Sequence, residues 1–292
     1  MEELTKKAEV LLEALQYIQK FQGAIFVIKY GGSFMDSPDP GVRTGVAKDI
    51  VFLEAVGINP VVVHGGGKAI SRAMEQAGIK PSFVKGMRVT DKATMKIVDD
   101  VLSNKINPEI VYAIQQHGGK AKGFSGRDIF KCVRMYLTEN GNEKVDIGYV
   151  GEVVEVNTKP IIECIENRIT PVISPVATGV DDGLPYNCNA DVAAAQVAIA
   201  LKARRLVFMS DVAGLMRNPA DSSTVIPHLK IEDVESLKAA GVIDRGMIPK
   251  IDSAVAAIKA GVEKVSLVDG RVPHSVLLEI FTDKGVGTEV VE

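Results

Sequence analysis

Short runs of β-branched and apolar residues alternate with longer helix-forming stretches along most of this chain, and no other feature constrains its fold as much. Strands are predicted over 24–30, 60–64, 120–124, 169–174, 204–209 and 263–268. Helices are predicted over 4–21, 44–56, 67–77, 91–116, 158–167, 190–202, 231–240, 250–260 and 273–281. Buried β-branched runs set between helices belong to a mostly parallel sheet covered on both faces, so the expected class is α/β, a three-layer αβα sandwich around an open sheet. One region departs from the pattern. From Ile129 to Asn157, residues such as Val133, Met135, Leu137, Val145, Ile147 and Val150 surround the turn-like Asn140-Gly141-Asn142, which is hairpin composition; such a hairpin either covers a site or extends the sheet. The first helix, with Leu4, Ala8, Leu11, Leu15 and Ile18 stepping by three or four and Val10, Leu12, Tyr17 and Phe21 widening the stripe, packs on its own body or on another subunit.

Composition removes several function classes. With 46% hydrophobic and 24% charged residues and a net charge of -3, the chain is an ordinary globular one without a basic footprint for nucleic acid, and it has no Trp to stack on bases. Cys132, Cys164 and Cys188 form no CxxC pair, which argues against a disulfide framework or a zinc site and for a reducing cytoplasm. The N-terminus lacks the pattern of a signal peptide, and no apolar stretch approaches the ~20 residues of a membrane span.

Two of the predicted strands run straight into glycines. The first is Ile25-Phe26-Val27-Ile28-Lys29-Tyr30-Gly31-Gly32; the second is Val61-Val62-Val63-His64-Gly65-Gly66-Gly67, followed by a helix. Such loops bring backbone N–H groups close to an anion. The spacing fits neither GxxxxGK[ST] nor GxGxxG, and the GxSxG elbow that a hydrolase HGGG loop requires is absent, as are HRD, DFG and HExxH. Lys29 at the end of an apolar strand needs an anion, either a protein carboxylate or a ligand phosphate. In Asn187-Cys188-Asn189-Ala190-Asp191, one polar residue suffices to cap the following helix, and the excess points to a polar site. Gly246-Met247-Ile248-Pro249-Lys250 offers a second lysine at a helix start, Ser210-Asp211-Val212-Ala213-Gly214-Leu215 a third strand-to-loop junction, and Arg88 in Gly86-Met87-Arg88-Val89-Thr90-Asp91 a bidentate grip for a carboxylate.

Taken in order, these segments resemble the amino acid kinase family, over essentially the whole chain. Arg88-Val89-Thr90 and Asn187-Cys188-Asn189-Ala190-Asp191 resemble the branch that acts on N-acetyl-L-glutamate. The resemblance implies phosphoryl transfer from ATP, with Mg²⁺ on its phosphates, to the γ-carboxylate of N-acetyl-L-glutamate. It implies catalytic Lys29, Lys250 and Asp191; an acceptor site of Gly65, Gly66, Arg88, Asn187 and Asn189; and a nucleotide site of Gly31, Gly32, Ser210, Asp211, Val212, Ala213, Gly214, Leu215, Met216, Val242, Ile243, Asp244 and Met247. It divides one continuous αβα body into an oligomerisation helix (1–22), an acceptor lobe (23–180) and an ATP lobe (181–292). Members inhibited by L-arginine join dimers into hexamers through such a helix, and by that analogy Tyr17, His274, Glu279 and Gly287 contact arginine. A PII-type protein partner is open on the same analogy. Lys68 stands where many relatives carry Pro, and either adds a cation to the anion site or turns to solvent. The rival readings are a related kinase acting on another acceptor, such as carrier-linked aminoadipate, and a non-catalytic arginine sensor.

Overall fold

The computed structural model describes residues 1–31, 40–139, 143–244, 246–282 and 285–292, excepting the side chains of 2–4, 6–8, 40–43, 139 and 143. In chain order it runs α1 (Glu2–Phe21), β1 (Ile25–Tyr30), α2 (Pro40–Ala55), β2 (Asn59–His64) and α3 (Gly67–Gln76), then the small hairpin β3 (Phe83–Val84) and β4 (Met87–Arg88). A long helical rod follows: α4 (Lys92–Asp99), a π-helical stretch at Asp100–Ile106, and α5 (Asn107–Gln116). Next come β5 (Ala121–Phe124), β6 (Phe130–Glu139), β7 (Glu143–Val156), α6 (Lys159–Glu166), β8 (Thr170–Ile173), β9 (Val176–Gly179), β10 (Pro185–Asn187) and α7 (Ala190–Ala200). The chain ends with β11 (Arg205–Ser210), β12 (His228–Lys230), α8 (Val234–Ala239), α9 (Ile248–Lys259), β13 (Lys264–Asp269), α10 (Ser275–Phe281) and β14 (Thr288–Val291). No helix among the described residues is long and apolar enough to cross a membrane.

Eight strands form the central sheet in the order β12-β14-β13-β11-β1-β2-β8-β5, and every pairing in it is parallel except β13 with β14. From β1 the chain works outward to β2, β5 and β8, then returns to the other side of β1 at β11. The order therefore reverses beside β1, and in open parallel sheets the crevice at the carboxyl ends of such strands receives ligands.

Successive side chains of β1 point to opposite faces and build two cores. Val27 joins Ile161 of α6, the alanines 193–195 of α7 and Ile251 of α9; Phe26, Ile28 and Tyr30 join Ile50 of α2, Met74 of α3 and Val276 of α10. The small side chains of α7 let that helix lie close against β1 and β2, which fixes where its first turn falls.

The six predicted strands agree with β1, β2, β5, β8, β11 and β13 to within a residue at either end. The predicted helix at 44–56 begins earlier, at Pro40, and the single helix predicted over 91–116 is interrupted by the π-helical stretch. Strands β3, β4, β9, β10, β12 and β14 were not foreseen, because two to four residues carry too little periodicity to read. Of the two readings of the hairpin, extension of the sheet fails. Strands β6 and β7 pair with β9 and β10 in a separate ring that closes on itself, β10-β7-β6-β9. The turn expected at 140–142 lies outside the described residues.

Candidate active site

At the carboxyl ends of β1 and β2, Gly31 and Gly65 lie back to back. A Cβ on Gly31 would stand 2.8 Å from Lys29 Nζ and 3.5 Å from Gly65 Cα, so a larger residue would collide with the folded-back ammonium. Gly32 lies outside the described residues. Asn189 caps α7, its Oδ1 accepting from the N–H groups of Asp191 (2.8 Å) and Val192 (3.2 Å), and this sets Asp191 in the first turn. Asp244 does the same ahead of α9, accepting from the N–H groups of Gly246 and Met247 at 3.0 Å each, and Pro249 favours a helix start there; Lys250 follows in the first turn.

These elements converge on one carboxylate. Lys29 Nζ is 3.0 Å from Asp191 Oδ1 and Lys250 Nζ is 2.9 Å from Oδ2, with the three side chains only 12%, 8% and 15% exposed in the order Lys29, Lys250, Asp191. Burial alone would raise the Asp191 carboxyl, but Lys250 and Lys29 outweigh it and hold the group well below the usual carboxylate range. Burial pushes the Lys250 ammonium down from its ordinary value, while Asp191 opposes that shift. Two cations and one anion leave an excess of one positive charge in a poorly solvated crevice, a setting that favours an incoming anion.

Beside this centre is a cavity of about 280 Å³, bordered by Lys29, Gly31 and Gly65–Gly67 on one side and by Arg88, Asn187, Asn189 and Asp191 on the other. Met135, Val150 and Gly151 of the β6–β7 hairpin also line it, so the hairpin covers the site. Arg88 is 7% exposed. Its guanidinium lies 4.7 Å from the Phe83 ring centroid and donates to the Gly67 carbonyl (2.8 Å) and Ser71 Oγ (2.9 Å). Burial lowers its pKa, and no acid pairs with it among the described residues, so it suits a ligand carboxylate. The segment after Arg88 is anchored where the Tyr149 N–H donates to the Thr90 carbonyl at 2.6 Å. Gly148 makes that approach possible, since its φ is +82° and a Cβ there would run into the Thr90 carbonyl. Asn187 Nδ2 donates to Thr90 Oγ1 at 3.4 Å. Asn189 spends its side-chain oxygen on the cap, which leaves its amide N–H₂ for a ligand. Cys188 is no nucleophile: its hydrogen bond with Cys132 and its burial push the thiol well above the usual range.

Ser71, Phe83 and Thr90 brace the pocket without having been singled out from sequence; only Thr90, next to Arg88 in its motif, carried a signal. Two larger cavities, of about 490 Å³ between α3 and the π-helical stretch and about 830 Å³ between the β3–β4 hairpin and α7 with α9, contain neither Lys29 nor Asp191. Of the three, the smallest one borders the lysine–aspartate centre.

The predicted nucleotide residues lie in two loops next to Lys250. After β11, Ser210 Oγ donates to the Val212 carbonyl (3.3 Å) and Asp211 Oδ2 sits 3.7 Å from Lys68 Nζ. Lys68 is 60% exposed and does not line the cavity beside Asp191. Gly214 abuts Thr288, whose hydroxyl accepts from the Leu215 N–H at 2.8 Å, and Met216 pairs with Val225. Leu215 and Ile243 are buried in the core and offer a ligand only their main chain, whereas Ala213, Val242 and Met247 are half-buried and Asp244 is exposed.

Around α10 the four residues expected to contact arginine are arranged differently from an open pocket. Tyr17 sets its ring edge-on to Phe281 with centroids 6.4 Å apart, and His274 Nδ1 is 2.6 Å from Asp49 Oδ1. Glu279 is buried and already accepts from Ser266 Oγ (2.7 Å) and the Val286 N–H (3.0 Å), while Gly287 is pressed against the Leu267 carbonyl.

Residues 24–269 match the sequence model of the amino acid kinase family. The acetylglutamate kinase of Syntrophomonas wolfei subsp. wolfei is 48% identical over 286 residues, which cover 98% of this chain and 97% of that one. The acetylglutamate kinase of Aquifex aeolicus is 47% identical over 99% of both chains, and that of Archaeoglobus fulgidus 46% over 98% of this chain and 99% of its own. Among solved structures, an N-acetylglutamate synthase from Neisseria gonorrhoeae complexed with coenzyme A and N-acetyl-glutamate has a TM-score of 0.83 at 24% identity, covering 98% of this chain and 63% of that one. A carbamate kinase from Giardia lamblia bound to AMP-PNP has a TM-score of 0.64 at 14% identity, over 92% and 98%. Both share the fold.

Proposed function

Because the chain belongs to the amino acid kinase family, and within it sits with the acetylglutamate kinases, we propose that it moves the γ-phosphoryl group of ATP to the γ-carboxylate of N-acetyl-L-glutamate. The products are N-acetyl-L-glutamyl 5-phosphate and ADP, a step of arginine biosynthesis. The observation that carries this reading is the pairing of Lys29 and Lys250 on Asp191 beside the glycine loops. A carboxylate acceptor is already ionised at neutral pH, so the reaction needs no general base. It needs two mutually repelling anions held in line, with charge on the transferring oxygens offset. The excess positive charge of the lysine pair offsets it, and Asp191 keeps both ammonium groups in place. Arg88 takes the α-carboxylate of the acceptor, with Gly65, Gly66, Asn187 and Asn189 around the rest; the loops at 210–216 and 242–247 take the nucleotide, with Gly31 and Gly32 toward its phosphates. The acceptor pocket draws Asn187 to Asp191 from beyond residue 180, so on this reading acceptor binding is shared between the segments 23–180 and 181–292.

Both oxygens of Asp191 face lysines, and among the described residues no group of three or more His, Cys, Asp or Glu could hold a metal. We propose that Mg²⁺ is carried by the ATP phosphates, where it would neutralise part of their charge. We propose a cytoplasmic enzyme with feedback inhibition by L-arginine at Tyr17, His274, Glu279 and Gly287 in a homo-oligomer, a hexamer, joined through α1. A guanidinium would have to take over the hydrogen bonds that Glu279 now accepts. A PII-type regulator would act on that assembly.

The test is to incubate the protein with MgATP, N-acetyl-L-glutamate and hydroxylamine. Hydroxamate formed in step with ADP is the expected result. ADP formed with another acceptor, and no hydroxamate with this one, would favour the related-kinase reading.

A further inference from the structure

The last residue of β2, His64, is fully buried, and both of its ring nitrogens are committed. Nδ1 is 2.9 Å from the Gly65 carbonyl oxygen, and Nε2 is 3.2 Å from Asn107 Nδ2. Asn107, the first residue of α5, also puts Nδ2 2.9 Å from the Val172 carbonyl and 3.4 Å from that of Phe124. Carbonyl oxygens only accept, so the amide nitrogen of Asn107 must face them; its two hydrogens go to the nearer acceptors, the Val172 carbonyl and His64 Nε2, and the Phe124 carbonyl at 3.4 Å takes only a shared one. The imidazole proton then sits on Nδ1, where it donates to Gly65. Gly123 leaves room for this arrangement, since a Cβ there would run into Asn107 Oδ1.

In a trans peptide the C=O and N–H point in opposite directions. Holding the Gly65 carbonyl toward the sheet therefore turns the N–H of Gly66 the other way, and among the described residues that N–H donates to no backbone carbonyl. Beneath it, the π-helical stretch sets Leu102 and Ile106 so close that a Cβ on Gly66 would stand 2.6 and 2.5 Å from their side-chain carbons, which prevents the loop from sinking.

We propose that His64 is a positioning residue for phosphoryl transfer: through the Gly65 carbonyl it aims the Gly66 N–H into the pocket where acceptor and phosphoryl group meet. Asn107 fixes the tautomer that makes this possible and ties the glycine loop to the ends of β5 and β8. This rests on the kinase reading above. His64 is not a base for the reaction, because neither nitrogen faces the pocket, and burial pushes the imidazole down to about 4 against the Gly65 hydrogen bond, which keeps it neutral.

Two measurements test the assignment. In steady-state kinetics, His64→Asn, whose amide N–H stands near the place of Nδ1–H, should keep kcat within about threefold, whereas His64→Leu, of similar bulk but without a donor, should lower kcat by roughly 10- to 100-fold with KM for ATP changed less than about threefold. In ¹⁵N-imidazole NMR of the unmodified protein, His64 should be the neutral Nδ1-protonated tautomer throughout the range of about pH 5 to 8. A folded His64→Leu protein that retains kcat within about twofold overturns the proposal, and so does a proton on Nε2 or a titration midpoint near the free value of about 6.5. The NMR result stands even where the leucine variant does not fold. If the unmodified protein makes no hydroxamate, the kinase reading fails, and the tautomer is still decided.

Discussion

At the scale of single residues, charge explains more than shape. Asp191→Asn removes the anion that Lys29 and Lys250 share, and we expect kcat to fall by about 10²- to 10³-fold in the hydroxamate assay. Leaving two ammonium groups in the crevice without a counter-ion should also destabilise the fold by about 3–5 kcal/mol, read by denaturant unfolding. The folded pKa of Asp191 is depressed, so its stabilisation is complete above the unfolded carboxylate value of about 3.9 and is lost only as pH falls through the folded one. Asp49 has the opposite sign. Burial raises its carboxyl to about 6, against the hydrogen bond from His274, and its Oδ2 has no hydrogen-bond partner. An acid raised in this way costs stability once pH exceeds the unfolded value, and the cost stops growing above the folded one. Asp49→Asn should therefore stabilise the protein at pH 7.5 by about 3 kcal/mol, with a gain in Tm that shrinks to nothing by about pH 3 in a series of thermal melts. Lys29, Asp191 and Lys250 were legible in sequence because each stands in a short motif with glycine, proline or asparagine beside it. His64 with Asn107 was not, since the two meet across 43 residues and only the packed sheet brings them together.

Among the elements, α1 carries the clearest unpaired surface. Val10, Leu11, Leu12 and Leu15 are exposed, while Phe21 at its end is buried against the body. Its last turn packs on its own chain, and its middle presents an apolar face to water. Deleting residues 1–22 should leave hydroxamate formation within about twofold, lower the solution mass measured by light scattering, and abolish inhibition by arginine. An unchanged mass and an unchanged inhibition curve would sink the oligomerisation role. The hairpin illustrates the limit of pattern reading. Alternating residues from Val133 to Val150 revealed two strands, but their partners, β9 and β10, are four and three residues long, so nothing local announced that the four would close into a ring beside the cavity at Lys29 and Asp191.

For the molecule as a whole, the sheet does not divide at residue 180. β1 pairs with β2 on one side and β11 on the other, and each core cluster mixes the two halves: Val27 with Leu206 and Val290 on one face, Phe26 with Val207 and Val276 on the other. A fragment of residues 1–180 would expose one edge of β1 and much of both faces, and we expect it to show no cooperative unfolding transition by circular dichroism; a sharp transition would establish an independent lobe. Sequence revealed the layers, through runs such as Val61-Val62-Val63, but not the strand order, which depends on which edge β11 joins. The lysine pair also links activity to synthesis. Lys29 and Asp191 leave the ribosome well before Lys250, and until then one carboxylate simply cancels one ammonium. Only when Lys250 arrives does the crevice acquire its positive excess, so we expect a chain ended before Lys250, however well its early strands pair, to consume no ATP.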